Sequence, residues 1–228
     1  MTGFLFRDYA EFDEHFEKSI RGYSDLRNDI VSISKCFIDH SSVVLDIGCS
    51  QGTMLKRIKD ANTQVHNAKY IGLDIEPSFK KHWVEERNLT YQVCAVRYYS
   101  GLNPNKHSYI LSLVVSLFTM RLIPEEDRLY IFKNIYNKLG VDGAFIFSEE
   151  VFSLNSQNQT IMVSLHYDYN KEHFPEIEIL GKVQERRHFV KNINEELLLK
   201  QLESVGFRSV QSFWRNFNFV GFIARKRP

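Results

Sequence analysis

Two acidic residues that end short apolar runs are the first candidates for chemistry in this sequence. The β-branched run Val43–Leu45 stops at Asp46, and a G-x-x-x-G turn, Gly48–Gly52, leads into a helical pattern. A second run, Lys69–Asp74, also ends in an acid. In a parallel sheet both acids would lie at the carboxyl ends of the strands, where ligands bind.

This pattern favours a nucleoside ligand without phosphates. A strand, a glycine turn and a helix N-terminus bring backbone N–H groups against a ligand, and an acid at the second strand end can accept both ribose hydroxyls. The spacing is neither the dinucleotide G-x-G-x-x-G nor the phosphate-binding G-x-x-x-x-G-K-[ST]. S-adenosylmethionine is therefore the predicted ligand. The alternatives are a plain strand-to-helix connection and, for Asp74, a helix cap.

Composition narrows the classes of protein that are compatible with the chain. Its 228 residues fit one domain, and a net charge of +1 argues against a general nucleic-acid binder while allowing RNA at a local patch. The three cysteines, Cys36, Cys49 and Cys94, have no metal-ligand spacing, so we expect no metal and reduced thiols in a cytoplasmic protein. No apolar run reaches membrane-spanning length, and the first residues do not resemble a signal peptide.

Alternating strands and helices predict an α/β fold with a mostly parallel sheet. The predicted strands are Val43–Asp46, Lys69–Asp74, Leu89–Val96, Ser108–Val115, Ala144–Glu149, Phe207–Phe213 and Phe217–Lys226, the last two antiparallel. The predicted helices cover 8–20, 24–37, 53–59, 77–83, 124–139 and 194–205. One domain spans 1–228, with N-terminal helices within 1–40. Residues 150–191 break the alternation, which indicates an insertion for substrate or dimer contacts, or else a solvated surface excursion.

Several short motifs, in the same order along nearly the whole chain, resemble those of a known family. They are Gly22–Ser24, Asp46–Ser50, Gly72–Pro77, Ile135–Leu139, Phe147–Glu150, His166–Asp168, Glu176–Ile179, Trp214 and Phe217–Phe219. With these motifs the chain resembles class I S-adenosylmethionine-dependent methyltransferases, and among them the carboxy-S-adenosylmethionine synthase family. The resemblance implies a Rossmann-like fold, with a seven-stranded, mostly parallel sheet, an antiparallel terminal hairpin, extra N-terminal helices and a possible homodimer.

That family carboxylates the methyl group of S-adenosylmethionine with prephenate, which makes a cofactor for tRNA wobble-uridine modification. Turn, strand ends and resemblance together give the candidate cofactor-binding residues Tyr23, Asp46, Gly48, Cys49, Ser50, Gly52, Asp74, Ile75, Ala95, Val96 and Val114. Two positions depart from the family pattern. Its acid near the adenine falls in the stretch around Ala95, and its arginine for the transferred carboxylate falls on Val183.

Three functions remain open from the sequence. The first is methyl transfer from S-adenosylmethionine to an undetermined small-molecule or RNA acceptor, with His166, Asp168 and Glu149 as candidate bases. The second is carboxy-S-adenosylmethionine synthesis, in which Arg186 or Arg187 would hold the carboxylate through a bidentate pair, so that the carboxylated form is also a ligand. The third is a non-catalytic binding protein that keeps the fold.

Overall fold

A computed structural model describes residues 12–103, 109–186, 190–191 and 193–226. Within these ranges the α-helices are α1 (Phe12–Ser19), α2 (Tyr23–Ser34), α3 (Thr53–Ala61), α4 (Glu125–Lys138), α5 (Ser156–Lys171), α6 (Glu176–Arg186) and α7 (Glu195–Val205). The strands there are β1 (Val43–Ile47), β2 (Lys69–Asp74), β3 (Leu89–Val93), β4 (Leu111–Leu117), β5 (Leu139–Phe152), β6 (Ile193–Asn194), β7 (Ser209–Asn216) and β8 (Phe219–Arg225).

The strands form one sheet in the order β3-β2-β1-β4-β5-β8-β7, and β6 pairs with β5 beside this path. Strands β1 to β5 pair in parallel, whereas β8 is antiparallel to both β5 and β7. This confirms the predicted Rossmann-like methyltransferase fold with its terminal hairpin. The strand order reverses between β1 and β4, which opens a crevice at their carboxyl ends.

Both faces of the sheet are covered by helices, which explains the near-continuous apolar strands. Helices α2 and α3 bury Leu26, Ile30, Leu55 and Ile58 on one face, in a cluster that includes Val44 of β1. Helices α4 and α7 bury Ile131, Phe132, Ile135, Leu198 and Leu202 on the other face, together with Leu45 and Ile47. Successive β1 side chains alternate between the two cores, so all five residues of β1 are buried.

Several strand boundaries differ from the prediction, among them the starts of β7 and β8, which lie two residues later than predicted. Strand β3 ends at Val93 instead of Val96, because Val96–Tyr98 forms a 3₁₀ turn in which Tyr98 N–H donates to the Ala95 carbonyl at 2.9 Å. Strand β4 is Leu111–Leu117 instead of 108–115, and Ser108 lies outside the described residues. Strand β5 is longer than predicted at both ends.

Residues 140–143, which separate the predicted helix 124–139 from the predicted strand Ala144–Glu149, form an irregularity inside β5. Its pairing with β4 jumps from Leu111↔Leu139 to Leu113↔Ala144, so three extra residues are looped out of the β5 side of the ladder. Asp142 takes a φ of 63° there, a left-handed conformation that suits a tight bend. The helix and the strand that the sequence separates by a turn are therefore joined by a bulged strand start.

The helices show smaller differences. The predicted first helix begins in residues outside the described part, and α1 is described from Phe12. Helix α2 ends at Ser34 instead of Phe37, and the predicted helix after β2 is a 3₁₀ helix, Pro77–His82. The 150–191 segment contains α5 and α6. Asn155 caps α5, since its side chain accepts from Asn158 N–H at 2.9 Å. None of the described helices is both long and apolar enough to cross a membrane.

Helix α7 begins and ends as predicted. The Asn194 side chain accepts from Leu197 N–H at 3.1 Å, and Gly206, with a φ of 119°, ends the helix. Asn194 Nδ2 also donates to the Phe152 carbonyl at 3.2 Å. The cap thus ties the start of α7 to the end of β5.

We expect Asn194→Ala to lower the free energy of unfolding by about 0.5–2 kcal/mol, because it leaves the Leu197 N–H without its cap. Asn158→Ala, on the exposed surface of α5, is the matched control, and there alanine should be neutral or slightly stabilising. Urea denaturation measures both. Equal unfolding free energies for the two variants would contradict the capping role.

Candidate functional site

The acid–glycine turn is held by backbone hydrogen bonds to β2. The N–H groups of Gly48 and Cys49 both donate to the Leu73 carbonyl, at 2.8 and 2.9 Å. Gly48 has a φ of 78°, and a Cβ there would lie 2.1 Å from Thr119 Oγ1. Only glycine fits between the end of β2 and the segment after β4.

Asp74 braces the same turn. One carboxylate oxygen accepts from Ser50 N–H at 2.8 Å, and the other accepts from Glu76 N–H at 2.9 Å. Burial raises the pKa of Asp74, while these N–H donors act in the opposite direction. The cap of the following 3₁₀ helix is Glu76, whose side chain accepts from Ser78 N–H, so Asp74 is not that helix's cap.

Asp46 is a fully buried carboxyl group at the end of β1. Burial, together with the charge of Asp74, raises the pKa of Asp46 to about 8. Its Oδ2 has no hydrogen-bond partner among the described residues. A buried acceptor without a partner, on a cavity wall, is what a ligand with donor groups can satisfy.

A cavity of about 520 Å³ opens over these strand ends, within the size range of small-molecule sites. Its floor contains Asp46, Gly48, Cys49, Ser50, Asp74 and Ile75. One end is an apolar slot lined by Cys94, Ala95, Val96, Leu122, Ile123 and Ile131. The cavity thus combines an acidic floor with an apolar end, as a nucleoside requires.

Aromatic side chains close the cavity on the side of the N-terminal helices. Tyr23 packs between Phe16 and Phe118, with ring centroids 5.4 and 6.3 Å away, and Phe118 meets Phe219 at 5.8 Å. Tyr23 is buried, which raises the pKa of its hydroxyl, and Arg27 lies over its ring. Tyr23 therefore both packs in the core and lines the cavity.

The remaining side of the cavity carries three cations, which we call the cationic wall: Arg121, Lys182 and Arg186. Arg121, only 7% exposed, forms an ion pair with Glu150, and Lys182 Nζ lies 2.7 Å from Glu178. Burial would raise the pKa of Glu150, but the charges of Arg121 and Arg186 outweigh it and lower that pKa. The wall thus holds more positive than negative charge at its buried end.

Two histidines lie beside the cationic wall and are held neutral by their surroundings. Burial and the charge of Lys182 lower the pKa of His15 to about 4. Burial also lowers the pKa of His166, whose Nε2 lies 2.9 Å from the Ser19 carbonyl. His166 packs edge-on against Phe219 at 4.9 Å. Neither histidine therefore adds positive charge to that of the cationic wall.

The comparisons with known proteins identify the family. The chain is 30% identical over 217 residues to a carboxy-S-adenosyl-L-methionine synthase of Staphylococcus epidermidis, covering 95% of this chain and 92% of that one. It is 24% identical to a protein of the same name from Histophilus somni, covering 94% and 89%. The chain belongs to the carboxy-S-adenosylmethionine synthase family. No family model matches the chain.

Solved structures support the same fold. A methyltransferase dependent on S-adenosylmethionine from Archaeoglobus fulgidus matches with a TM-score of 0.61 at 18% identity, covering 95% of this chain and all of that one. Human N-acetylserotonin methyltransferase in complex with S-adenosylmethionine matches with a TM-score of 0.54 at 14% identity; this chain is covered to 96% but spans only 60% of the human chain. The protein is an enzyme of this superfamily, which argues against the non-catalytic alternative.

The resemblance to the family predicted an arginine for the transferred carboxylate at the position where this chain has Val183. Val183 is 47% exposed on α6 and does not line the cavity, whereas Arg186, one turn later, does. Arg187 lies outside the described residues. The cavity thus receives an arginine from α6, but from a different position.

Most of the predicted cofactor residues come together in the cavity, and four predicted site residues do not. Tyr23, Asp46, Gly48, Cys49, Ser50, Asp74, Ile75, Ala95, Val96, His166 and Arg186 line it. Val114 is fully buried within β4, three residues before the cavity-lining part of that strand begins at Leu117, and a Cβ at Gly52 would meet Tyr91. Asp168 is exposed on α5, away from the cavity.

Glu149 is the fourth residue that does not reach the cavity. It is fully buried and accepts from Met120 N–H at 2.9 Å, and burial raises its pKa to about 7. It supports the segment that carries Arg121. Arg121 itself was not predicted, although it follows the end of β4 at the topological switch point, a signal that could have found it.

We expect Gly48→Ala to destabilise the protein by about 1–3 kcal/mol, because the new Cβ clashes with Thr119 and the left-handed backbone is strained. Gly181→Ala is the control, since a Cβ there meets nothing within 4 Å and α6 should gain about 0.5–1 kcal/mol. Urea denaturation compares them. A Gly48→Ala variant as stable as the unmodified protein would refute this account of the turn.

The raised pKa of Asp46 predicts a specific pH dependence of stability. The stabilising contribution of the protonated carboxyl is complete below the unfolded pKa of about 3.9 and is lost as pH rises towards its folded pKa of about 8. Between roughly pH 4 and 8, Asp46 should lower the free energy of unfolding by at most about 1.4 kcal/mol per pH unit. In Asp46→Asn this decrease should be absent.

The measurement is a series of urea denaturations without ligand across this pH range. Asp168→Asn is the control, because it removes the same charge at an exposed position. If Asp46→Asn has the same pH profile as the unmodified protein, Asp46 is not the protonated group.

Proposed function

We propose that the protein binds S-adenosylmethionine in this cavity and converts it to the carboxylated form, with the cationic wall holding the carboxylates of donor and product. The observation that carries this proposal is the position of Arg186. It lines the same cavity as Asp74, on the side where Arg121 and Lys182 also lie. The charge that Val183 cannot supply is therefore available from neighbouring residues.

The acidic floor suits the nucleoside part of the ligand. The Gly48–Gly52 turn presents backbone at close range, and Asp74 has lone pairs left for ribose hydroxyls after accepting two N–H groups. Asp46 offers a further buried acceptor. The floor contains no lysine or arginine for phosphates, so an adenosine attached to a sulfonium fits it better than a nucleotide.

The cationic wall suits carboxylates. A carboxylated sulfonium and a donor such as prephenate both carry carboxylate groups, and arginine binds these through two parallel hydrogen bonds. Glu150 pairs with Arg121 and Glu178 pairs with Lys182, so two carboxylates face three cations on this side. The cations of the wall repel one another, and a bound anion would attract them instead. Such charge–charge contacts are strong here because the site is partly desolvated.

Methyl transfer to another acceptor is the second candidate, and the exposed Val183 is the observation that favours it. An acceptor that must lose a proton needs a base. Of the three candidate bases only His166 lines the cavity, and its Nε2 is already engaged by the Ser19 carbonyl. Methyl transfer therefore fits this cavity best for an acceptor that does not have to lose a proton. An RNA acceptor, a homodimer, a cytoplasmic location and a role in tRNA modification stay predictions.

Competitive calorimetry with S-adenosylmethionine and its carboxylated form separates the two candidates. We expect the unmodified protein to bind the carboxylated form at least about tenfold more tightly, roughly 1.4 kcal/mol, because an added carboxylate contacts the cationic wall. Arg186→Gln should remove most of this preference. The double variant Arg121→Gln/Glu150→Gln should reduce it as well, without leaving one charge of the buried pair alone.

Arg208→Gln is the control for loss of an arginine, because Arg208 is exposed and does not line the cavity. Equal affinities for the two ligands, unchanged by either arginine variant, would favour methyl transfer. If neither ligand binds, the proposal of an S-adenosylmethionine enzyme is wrong for this chain.

A further inference from the structure

The apolar slot of the cavity contains one carboxylate that no sequence motif indicated. Asp127 lies in the first turn of α4 and lines the cavity, with a side chain only 16% exposed. It forms an ion pair with Arg97, which follows Ala95 and Val96 at the end of β3. The first turn of α4 is therefore paired with the 3₁₀ turn that follows Ala95, the residue in the stretch where the resemblance predicted an acid.

The neighbouring residues argue that Asp127 is more than a helix-start acid. Glu125 and Glu126 already supply negative charge to the first turn of α4, and both are exposed. Neither lines the cavity, whereas Asp127 does. Arg97 holds one carboxylate oxygen of Asp127, which fixes the side chain and leaves the other oxygen able to accept a hydrogen bond.

We propose that Asp127 recognises the exocyclic 6-amino group of the adenine, and that Arg97 positions its carboxylate. This inference rests on the proposed S-adenosylmethionine site. The slot provides apolar side chains, among them Val96, Ile123 and Ile131, for the two faces of a purine ring. A purine in such a slot needs an acceptor for its amino group, because an unpaired donor in a desolvated site is costly. Asp127 takes over the role that Ala95 cannot fill.

The proposal predicts discrimination at position 6 of the purine. A 6-amino group donates to the carboxylate, whereas a 6-oxo group presents a second acceptor that the carboxylate repels. S-adenosylhomocysteine and its hypoxanthine counterpart, S-inosylhomocysteine, differ in this group and at the adjacent N1, which accepts a hydrogen bond in adenine and carries a hydrogen in hypoxanthine. We expect calorimetry to give at least about tenfold tighter binding of S-adenosylhomocysteine to the unmodified protein.

Asp127→Asn tests the assignment, because an amide can donate as well as accept. This variant should bring the two affinities within about threefold of each other. Glu126→Gln is the matched control: it removes the same charge from the same helix turn at an exposed position, and it should keep the preference of the unmodified protein. Should Asp127→Asn fail to fold, Arg97→Gln/Asp127→Asn removes both charges of the pair and allows the same comparison.

The possible failures are distinguishable. If the unmodified protein binds both ligands equally, or if Asp127→Asn keeps the full preference, Asp127 does not recognise the amino group, even though the cavity binds the nucleoside. If the unmodified protein binds neither ligand, the proposed function fails together with this inference.

Discussion

The structure around the cavity depends on two acidic side chains that are buried at the ends of neighbouring parallel strands. Asp46 lies opposite Gly72 in the β1–β2 pairing, one residue before the pair Ile47↔Leu73, and Asp74 ends β2. Burying one carboxylate is unfavourable unless it is hydrogen-bonded, and a second one nearby adds repulsion. The chain meets this constraint in two ways: Asp74 accepts two backbone N–H groups, and Asp46 holds its proton up to a pH of about 8.

The glycine turn follows from the same constraint. Asp74 can accept Ser50 N–H only because the chain doubles back tightly after β1, with positive φ at Gly48, Ser50 and Gly52. Gly72 leaves room on β2, since a Cβ there would lie 2.9 Å from the Cys49 sulfur and 2.5 Å from the Tyr91 ring. The acids and the glycines are therefore one unit: N–H groups of the turn bond to the Leu73 carbonyl and to Asp74, and Asp46 and Asp74 line the cavity beside them.

The sequence predicted this unit because all of its signals are local. Apolar runs that stop at an acid and a G-x-x-x-G turn each lie within a few residues. The signals failed where a tertiary contact decides the local structure, as in the 3₁₀ turn that ends β3 early and the bulge that begins β5. Arg121 and Asp127 lie some seventy residues or more after the turn, and only the crossover between β1 and β4 brings them to the cavity.

The cationic wall illustrates how helix geometry decides which positions can act. Residues four apart on a helix share a face, so Lys182 and Arg186 both point into the cavity from α6, and Ile179 is buried on the same side. Val183 lies about 100° around the helix from Lys182, towards the side on which Leu180 is also exposed. The resemblance to the family assigns the arginine to Val183, whereas in the structure Arg186, on the same helix, lines the cavity. Arg186 of α6 and Arg121 after β4 both line this side of the cavity and both act on the charge of Glu150, so residues far apart in the chain supply guanidinium groups to one site.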